Sequence, residues 1–237
     1  IDKFEIEQLK QNMTDEEYRQ ELECDFSAAI NGSIYGKIID KLDAENRITK
    51  INYDVGYPVH TAWDLGIADE GIVVFFQEIG RQIYFIDSLA KSGEGLPWFA
   101  KEIKNRDYVY GRHFAPHDIE VRDFSNGLSR REVAYQLGIR FQVAPKLAVE
   151  EGIHITSMML ARSYFDQEKC ETLIDALRHY HRKWSVNNKF FSKPQHDWSS
   201  HFCDAVRVAA VSLTENVAGK KPPQVMAQNE YQVFGVN

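Results

Sequence analysis

Residues 60–87 read HTAWDLGIADEGIVVFFQEIGRQIYFID, and the fold class turns on this stretch. Residues 60–66 read as an extended run, followed by a turn through 68–71. Residues 72–79 form a continuous apolar run. Gly80 and Arg81 make a tight turn, and residues 82–87 give a third strand. Three strand-length runs joined by two short turns predict an antiparallel meander.

Downstream, the spacing predicts an amphipathic helix over 98–103, a fourth strand over 108–115 stopped by Pro116, and a helix over 129–137 closed by Gly138. A fifth strand covers 139–143. The remainder reads as largely helical. Cys170, Leu173, Ile174, Leu177, Tyr180 and Trp184 recur at helical spacing, residues 187–195 are a loop or short hairpin, and Phe202, Val206, Ala209 and Leu213 face the core from a last helix. Upstream, Thr14 and Glu17 fit a capping box, with Tyr18, Leu22 and Phe26 as the apolar stripe behind it. Residues 31–37 read as a turn, but Gly32 and Gly36 are wrongly spaced for a phosphate loop, and Ile38 stands where a magnesium-binding Ser or Thr belongs. A second helix follows over 38–44, then a connector over 54–58. The expected architecture is α/β, with a mixed central sheet (the three-strand meander plus parallel strands) and helices on both faces. Residues 1–50 are expected to form an acidic helical linker, 51–217 the main domain and 218–237 a mobile tail.

With 237 residues, 43% of them hydrophobic, the chain can build one sizeable core. Its apolar runs are too short and too often broken by charge to span a membrane. No signal-peptide pattern opens it, and its start at Ile1 rather than Met reads as a fragment or a processed end. Cys24, Cys170 and Cys203 are far apart and odd in number, which argues against a disulfide framework or zinc site and fits a reducing compartment; the histidines are scattered. The net charge of -7 is uneven: residues 1–50 hold 12 Asp/Glu against 7 Lys/Arg, or -5, leaving -2 for the rest. A near-neutral domain that gathers carboxylates at one point can still carry a basic face.

Three aspartates stand at element ends. Asp64 lies in the first strand between Trp63 and Leu65, where a carboxylate is costly to bury without a partner. Asp118 follows the fourth strand, just past Pro116, at the strand end where α/β folds place their sites. Asp204 lies in the last helix, on the flank beside Ala205. Each has an ordinary explanation taken alone: a salt bridge for Asp64, a turn for Asp118, and an ion pair with Arg207 for Asp204. Taken together, a first-strand, a fourth-strand and a last-helix carboxylate are the set that a ribonuclease-H-like nuclease needs. Such a set holds two hard divalent cations, roughly 3.5–4 Å apart, around a phosphodiester.

The motifs around these acids resemble the large terminase subunits of tailed double-stranded DNA phages. The matching stretches are Thr61-Ala62-Trp63-Asp64-Leu65-Gly66, Tyr110-Gly111-Arg112-His113-Phe114-Ala115-Pro116-His117-Asp118, and residues 196–207, HDWSSHFCDAVR. Residues 16–26, EEYRQELECDF, resemble the segment that joins this family's motor domain to its nuclease domain. The resemblance implies a ribonuclease-H-like nuclease domain that cuts double-stranded DNA with Mg²⁺ or Mn²⁺ (two ions) during genome packaging. It also implies Asp64, Asp118 and Asp204 as catalytic metal ligands. The implied partners are double-stranded DNA, the portal protein, the small terminase subunit and the family's own ATPase domain, with no membrane involved. The implied location is the cytoplasm of the infected bacterial host. No G-x-x-x-x-G-K-[ST] motif is present, so the ATPase domain is expected to lie outside this piece.

Secondary candidates complete the expectation. Asp69 follows the first strand and is a possible fourth ligand, Asp197 is an N-cap or a metal contact, and His117 and His201 are placed to orient a carboxylate or water. The densest basic-aromatic stretch, expected to touch DNA, combines Arg178, Arg182, Lys183, Lys189 and Lys193 with Trp184, Phe190 and Phe191. A second basic group is Arg130, Arg131 and Lys146. Two other readings remain open: a junction resolvase or transposase-type nuclease of the same fold, and a non-catalytic structural component of a packaging assembly.

Overall fold

The computed structural model describes residues 32–66, 70–122, 127–185 and 190–218. In chain order the elements are α1 (Gly36–Ala44), β1 (Ile48–Thr49), β2 (Val59–Leu65), β3 (Glu70–Ile79), β4 (Gln82–Ser92), α2 (Leu96–Lys104) and β5 (Tyr110–Ala115). A 3₁₀ turn (His117–Glu120) follows, then α3 (Arg130–Gln136), β6 (Phe141–Val143), α4 (Val149–Leu160), β7 (Ser163–Asp166), α5 (Glu171–His179), β8 (Arg182–Ser185), β9 (Phe190–Pro194) and α6 (Trp198–Ala218).

Seven strands form one mixed sheet in the order β1-β7-β4-β3-β2-β5-β6. The meander is present as expected: β2 pairs antiparallel with β3, and β3 with β4. Gly80 turns the second hairpin at φ 63°, in the left-handed region where a side chain would be strained. β5 joins β2 in parallel, and β6 joins β5 in parallel.

The unbroken apolar run in β3 reflects burial on both faces, as in strands covered by helices above and below. Ile72, Val74 and Phe76 point into one core with helices α1, α4, α5 and α6, whereas Val73 and Phe75 point into a second core with α2 and α3. α6 is the longest helix among the described residues, 21 residues, and crosses β2, β3 and β5 with Phe202, Ala205, Val206 and Ala209 fully or almost fully buried.

The structure corrects the expectation at two places. Residues 163–166 are a strand, not part of a helical region: β7 pairs in parallel with both β4 and β1 and extends the sheet. Four residues are too few to show a period-2 pattern. The stripe from Cys170 to Trp184 is helical only through His179; Tyr180 turns out of the helix, and Trp184 lies in β8, paired with Phe191 of β9. Tyr35, Ile39 and Leu42 of the α1 region are buried in the first core, and Ile48–Thr49 is an edge strand of the same sheet. The capping box at Thr14, the 16–26 segment, Asp69 and residues 219–237 lie outside the described residues. Among the described residues, no helix is long and apolar enough to cross a membrane.

Candidate active site

Parallel pairing of β2 with β5 puts the C-terminal ends of both strands at the same edge. Thr61 stands opposite His113 and Ala62 opposite Phe114. Asp64 is the penultimate residue of β2, and Asp118 lies in the 3₁₀ turn that Pro116 starts just past β5. The third acid arrives from above, because α6 lies across β2 and β5. Its buried face is occupied by Phe202, Ala205 and Val206, which leaves Asp204 and His201 half-buried on the flank toward Asp64.

The electrostatics place these groups within one field. The Asp64 carboxyl is pushed up to about 6, first by burial, then by the charge of Asp204, with a smaller push from Asp118; His201 opposes the rise. Its hydrogen bond is to His201 Nδ1, at 3.2 Å from Asp64 Oδ2. The Asp204 carboxyl is also raised by burial, against the pull of Arg207, His201 and His196. Its Oδ1 lies 2.8 Å from Arg207 Nη1. That contact is ionic and poorly aligned, since the same buried oxygen makes no hydrogen bond. The ordinary explanation for Asp204, an i,i+3 ion pair, therefore holds alongside its closeness to Asp64.

Asp166 shows what a purely structural acid looks like in this protein. It is 4% exposed, and its two oxygens accept backbone N–H bonds from Ile51 (2.8 Å), Glu168 (3.1 Å) and Lys169 (2.9 Å). Asp64 and Asp204 are not provided for in this way. Two half-buried carboxylates, one raised by the other's charge and the other with a buried oxygen that makes no hydrogen bond, are a donor set that hard cations such as Mg²⁺ and Mn²⁺ would fit. The oxygens of Asp64, Asp118 and Asp204 do not all come within 4.8 Å of one another.

Buried hydrogen bonds hold the strands in place. Trp63 Nε1 donates to Thr61 Oγ1 (2.7 Å), and the Thr61 hydroxyl bonds His113 Nδ1 (2.7 Å), tying β2 to β5 one turn of the pleat below Asp64. Burial pushes the His113 ring down to about 4, so it stays neutral. His60 is likewise neutral, pushed down to about 4 by burial and by Arg112, and its Nδ1 accepts the Arg112 backbone N–H at 2.9 Å. On the helix side, Arg207 lies against Gly152 of α4: a Cβ there would meet Arg207 Cδ at 2.6 Å. Neither Gly152 nor Arg207 was a site residue in the sequence reading. Arg207 was legible only as a basic residue three positions after Asp204, and Gly152 carried no signal.

The remaining candidates separate. Asp197 caps α6 through the Ser199 N–H (2.9 Å). His117 is exposed and lines a small cavity with Lys146 and Arg207. Arg130 donates to the Leu65 carbonyl (2.9 Å), immediately after Asp64. Lys193 lines a cleft of about 450 Å³ together with Glu150, His196, Asp204 and Arg207. The other arginines of the expected basic patches are engaged within the chain: Arg178 with Asp40 and Asp43, Arg182 with Glu150, and Arg131 with Glu120. The side chains of Lys183 and Lys189 lie outside the described residues.

No protein-family model and no curated protein matches the sequence. Among solved structures, the chain is similar to the large terminase of a thermophilic bacteriophage, with TM-score 0.60, 15% identity and 90% of this chain covered. It spans about half the length of that protein, 53%. It is also similar to the P22 large terminase nuclease domain (TM-score 0.56, 18% identity, 72% of this chain and 89% of that one). A third similar structure is the large terminase nuclease of the thermophilic phage G20c with bound magnesium (TM-score 0.53, 13% identity, 77% and 98%). The seven-stranded sheet, its helices and the crossing of α6 are therefore the ribonuclease-H-like fold of the large-terminase nuclease domains.

Proposed function

We propose that this chain is a metal-dependent endonuclease that cuts double-stranded DNA during viral genome packaging. The carrying observation is that the half-buried Asp64 carboxyl is raised by the charges of Asp204 and Asp118 as well as by burial, while a buried oxygen of Asp204 makes no hydrogen bond. The likeness in fold to terminase nuclease domains, one of them described with bound magnesium, supports the same reading. In it, Asp64, Asp118 and Asp204 hold two Mg²⁺ or Mn²⁺ ions, and Asp69 is a fourth ligand. The ions would supply Lewis-acid stabilisation of the phosphodiester and a water of lowered pKa.

The chain's own residues do the positioning. His201 orients the Asp64 carboxylate, and Arg207, seated over Gly152, holds Asp204. Lys193, Arg130 and Lys146 flank the three acids and are assigned to the DNA backbone, which carries no sequence information of its own. Packaging itself would draw on an ATPase domain, the portal protein and the small terminase subunit, in the cytoplasm of the infected bacterial host. Incubating the protein with supercoiled plasmid tests the activity. Nicked and linear DNA should appear with Mn²⁺ or Mg²⁺ and not with EDTA. Cutting that persists in EDTA, or no cutting at any metal concentration, overturns the reading.

A further inference from the structure

The histidines that look scattered along the sequence are partly gathered by the fold. His179 is the last residue of α5, His181 lies immediately before β8, and Asp197 lies immediately before α6. One ligand atom from each of the three lies within 4.8 Å of the others, and all three side chains are half-buried. We infer that His179, His181 and Asp197 form a second metal site, suited to Zn²⁺, at the base of the β8–β9 hairpin.

Local hydrogen bonds already prepare the ligands. His181 Nδ1 is 2.8 Å from the His179 carbonyl oxygen. A carbonyl only accepts, so Nδ1 carries the proton and Nε2 keeps its lone pair outward. This is the arrangement in which the second ring nitrogen of a metal-binding imidazole is fixed by a backbone carbonyl. Asp197 Oδ1 accepts from both the N–H and the hydroxyl of Ser199 (2.9 and 2.5 Å), which fixes the carboxylate and leaves Oδ2 for an ion. The His179 ring is held against Trp198, with centroids 5.4 Å apart.

The donor chemistry selects the ion. Two imidazoles and one carboxylate form a borderline set that suits Zn²⁺, whereas Mg²⁺ and Ca²⁺ prefer oxygen throughout. Tetrahedral zinc with ligands at about 2.0–2.1 Å spaces them roughly 3.4 Å apart, a contraction within reach of side-chain torsions, and water fills the fourth position. The site differs in chemistry from the three aspartates, and it would join two separate pieces of chain, residues 179–181 and Asp197. The His181 carbonyl already accepts the Gln195 N–H (2.9 Å), closing the hairpin's base, and a bound ion would fasten that base to the N-terminus of α6, the helix that carries His201 and Asp204.

The test is Zn²⁺ titration by calorimetry of the Asp64→Asn/Asp118→Asn double variant, which silences the carboxylate set. One equivalent should bind, and saturating Zn²⁺ should raise the melting temperature. Adding Asp197→Asn should weaken that binding at least tenfold while leaving the melt in EDTA unchanged, because an asparagine still caps α6. His181→Gln should weaken it similarly. Zn²⁺ binding of equal strength with and without Asp197→Asn and His181→Gln, or no bound equivalent in the double variant, overturns the site.

Discussion

At the scale of single residues, the contrast between Asp166 and Asp64 matters most. Both are buried or half-buried acids on strands of one sheet. Asp166 is surrounded by backbone donors, while Asp64 has only His201 and two other carboxylates in its field. The folded Asp64 carboxyl titrates at about 6 against an ordinary 3.8. Between those values the folded state holds a proton that the unfolded chain has lost. The resulting stabilisation is complete below pH 3.8 and disappears as pH rises through 6, a swing of at most about 3 kcal/mol. Asp64→Asn has no proton to lose. In EDTA its stability should fall less between pH 4.5 and 7.5 than that of the wild type, and at pH 7.5 it should exceed the wild type by about 1–2 kcal/mol in urea unfolding. Parallel pH profiles for the two proteins would contradict the placement of Asp64.

Asp204 admits an equally direct test at this scale, because it serves an ion pair and the cluster at once. Asp204→Asn should lose about a hundredfold or more of plasmid cleavage, on the order of 3 kcal/mol of transition-state stabilisation, while keeping a cooperative melt. Arg207→Met keeps the apolar stem over Gly152 and removes only the charge. It should retain cleavage within about tenfold. Equal losses in the two variants would mean that the ion pair, and not a ligand, is what matters at Asp204.

Elements explain why the site lies where it does and why part of the fold was legible. The meander announced itself through two tight turns and a long apolar run. The Trp63–Thr61–His113 chain of hydrogen bonds locks the parallel β2–β5 pair. Thr61→Val would leave the Trp63 N–H and His113 Nδ1 buried and unpaired, at a cost of about 2 kcal/mol measured by urea unfolding, with cleavage by the folded fraction little changed. A variant as stable as wild type would show that this network does not hold the strands. What stayed hidden was short or non-local. β1 and β7, of two and four residues, show no period and exist because they pair with each other and with β4. The approach of Arg207 to Gly152 depends on the packing of α4 against α6, which no local pattern records. The ion pairs of the basic stretches stayed hidden for a related reason: Arg178, Arg182 and Arg131 find carboxylates distant in sequence.

For the molecule as a whole, a ligand that binds only the folded cluster must stabilise the fold. Saturating Mn²⁺ should raise the melting temperature of the wild type by several degrees, since binding at about a hundred times Kd adds about 2.7 kcal/mol. Asp64→Asn should lose most of that rise, and an unchanged melting temperature in the wild type would count against an intact site. The central claim is that three carboxylates brought from two strand ends and one helix flank share divalent metal. The direct measurement is anomalous diffraction from crystals soaked in Mn²⁺. Manganese should be bound by Asp64 together with Asp118 and Asp204, with no such peak in Asp64→Asn crystals. A wild-type map with no manganese at these three aspartates, or with manganese that survives unchanged in the variant, would contradict it.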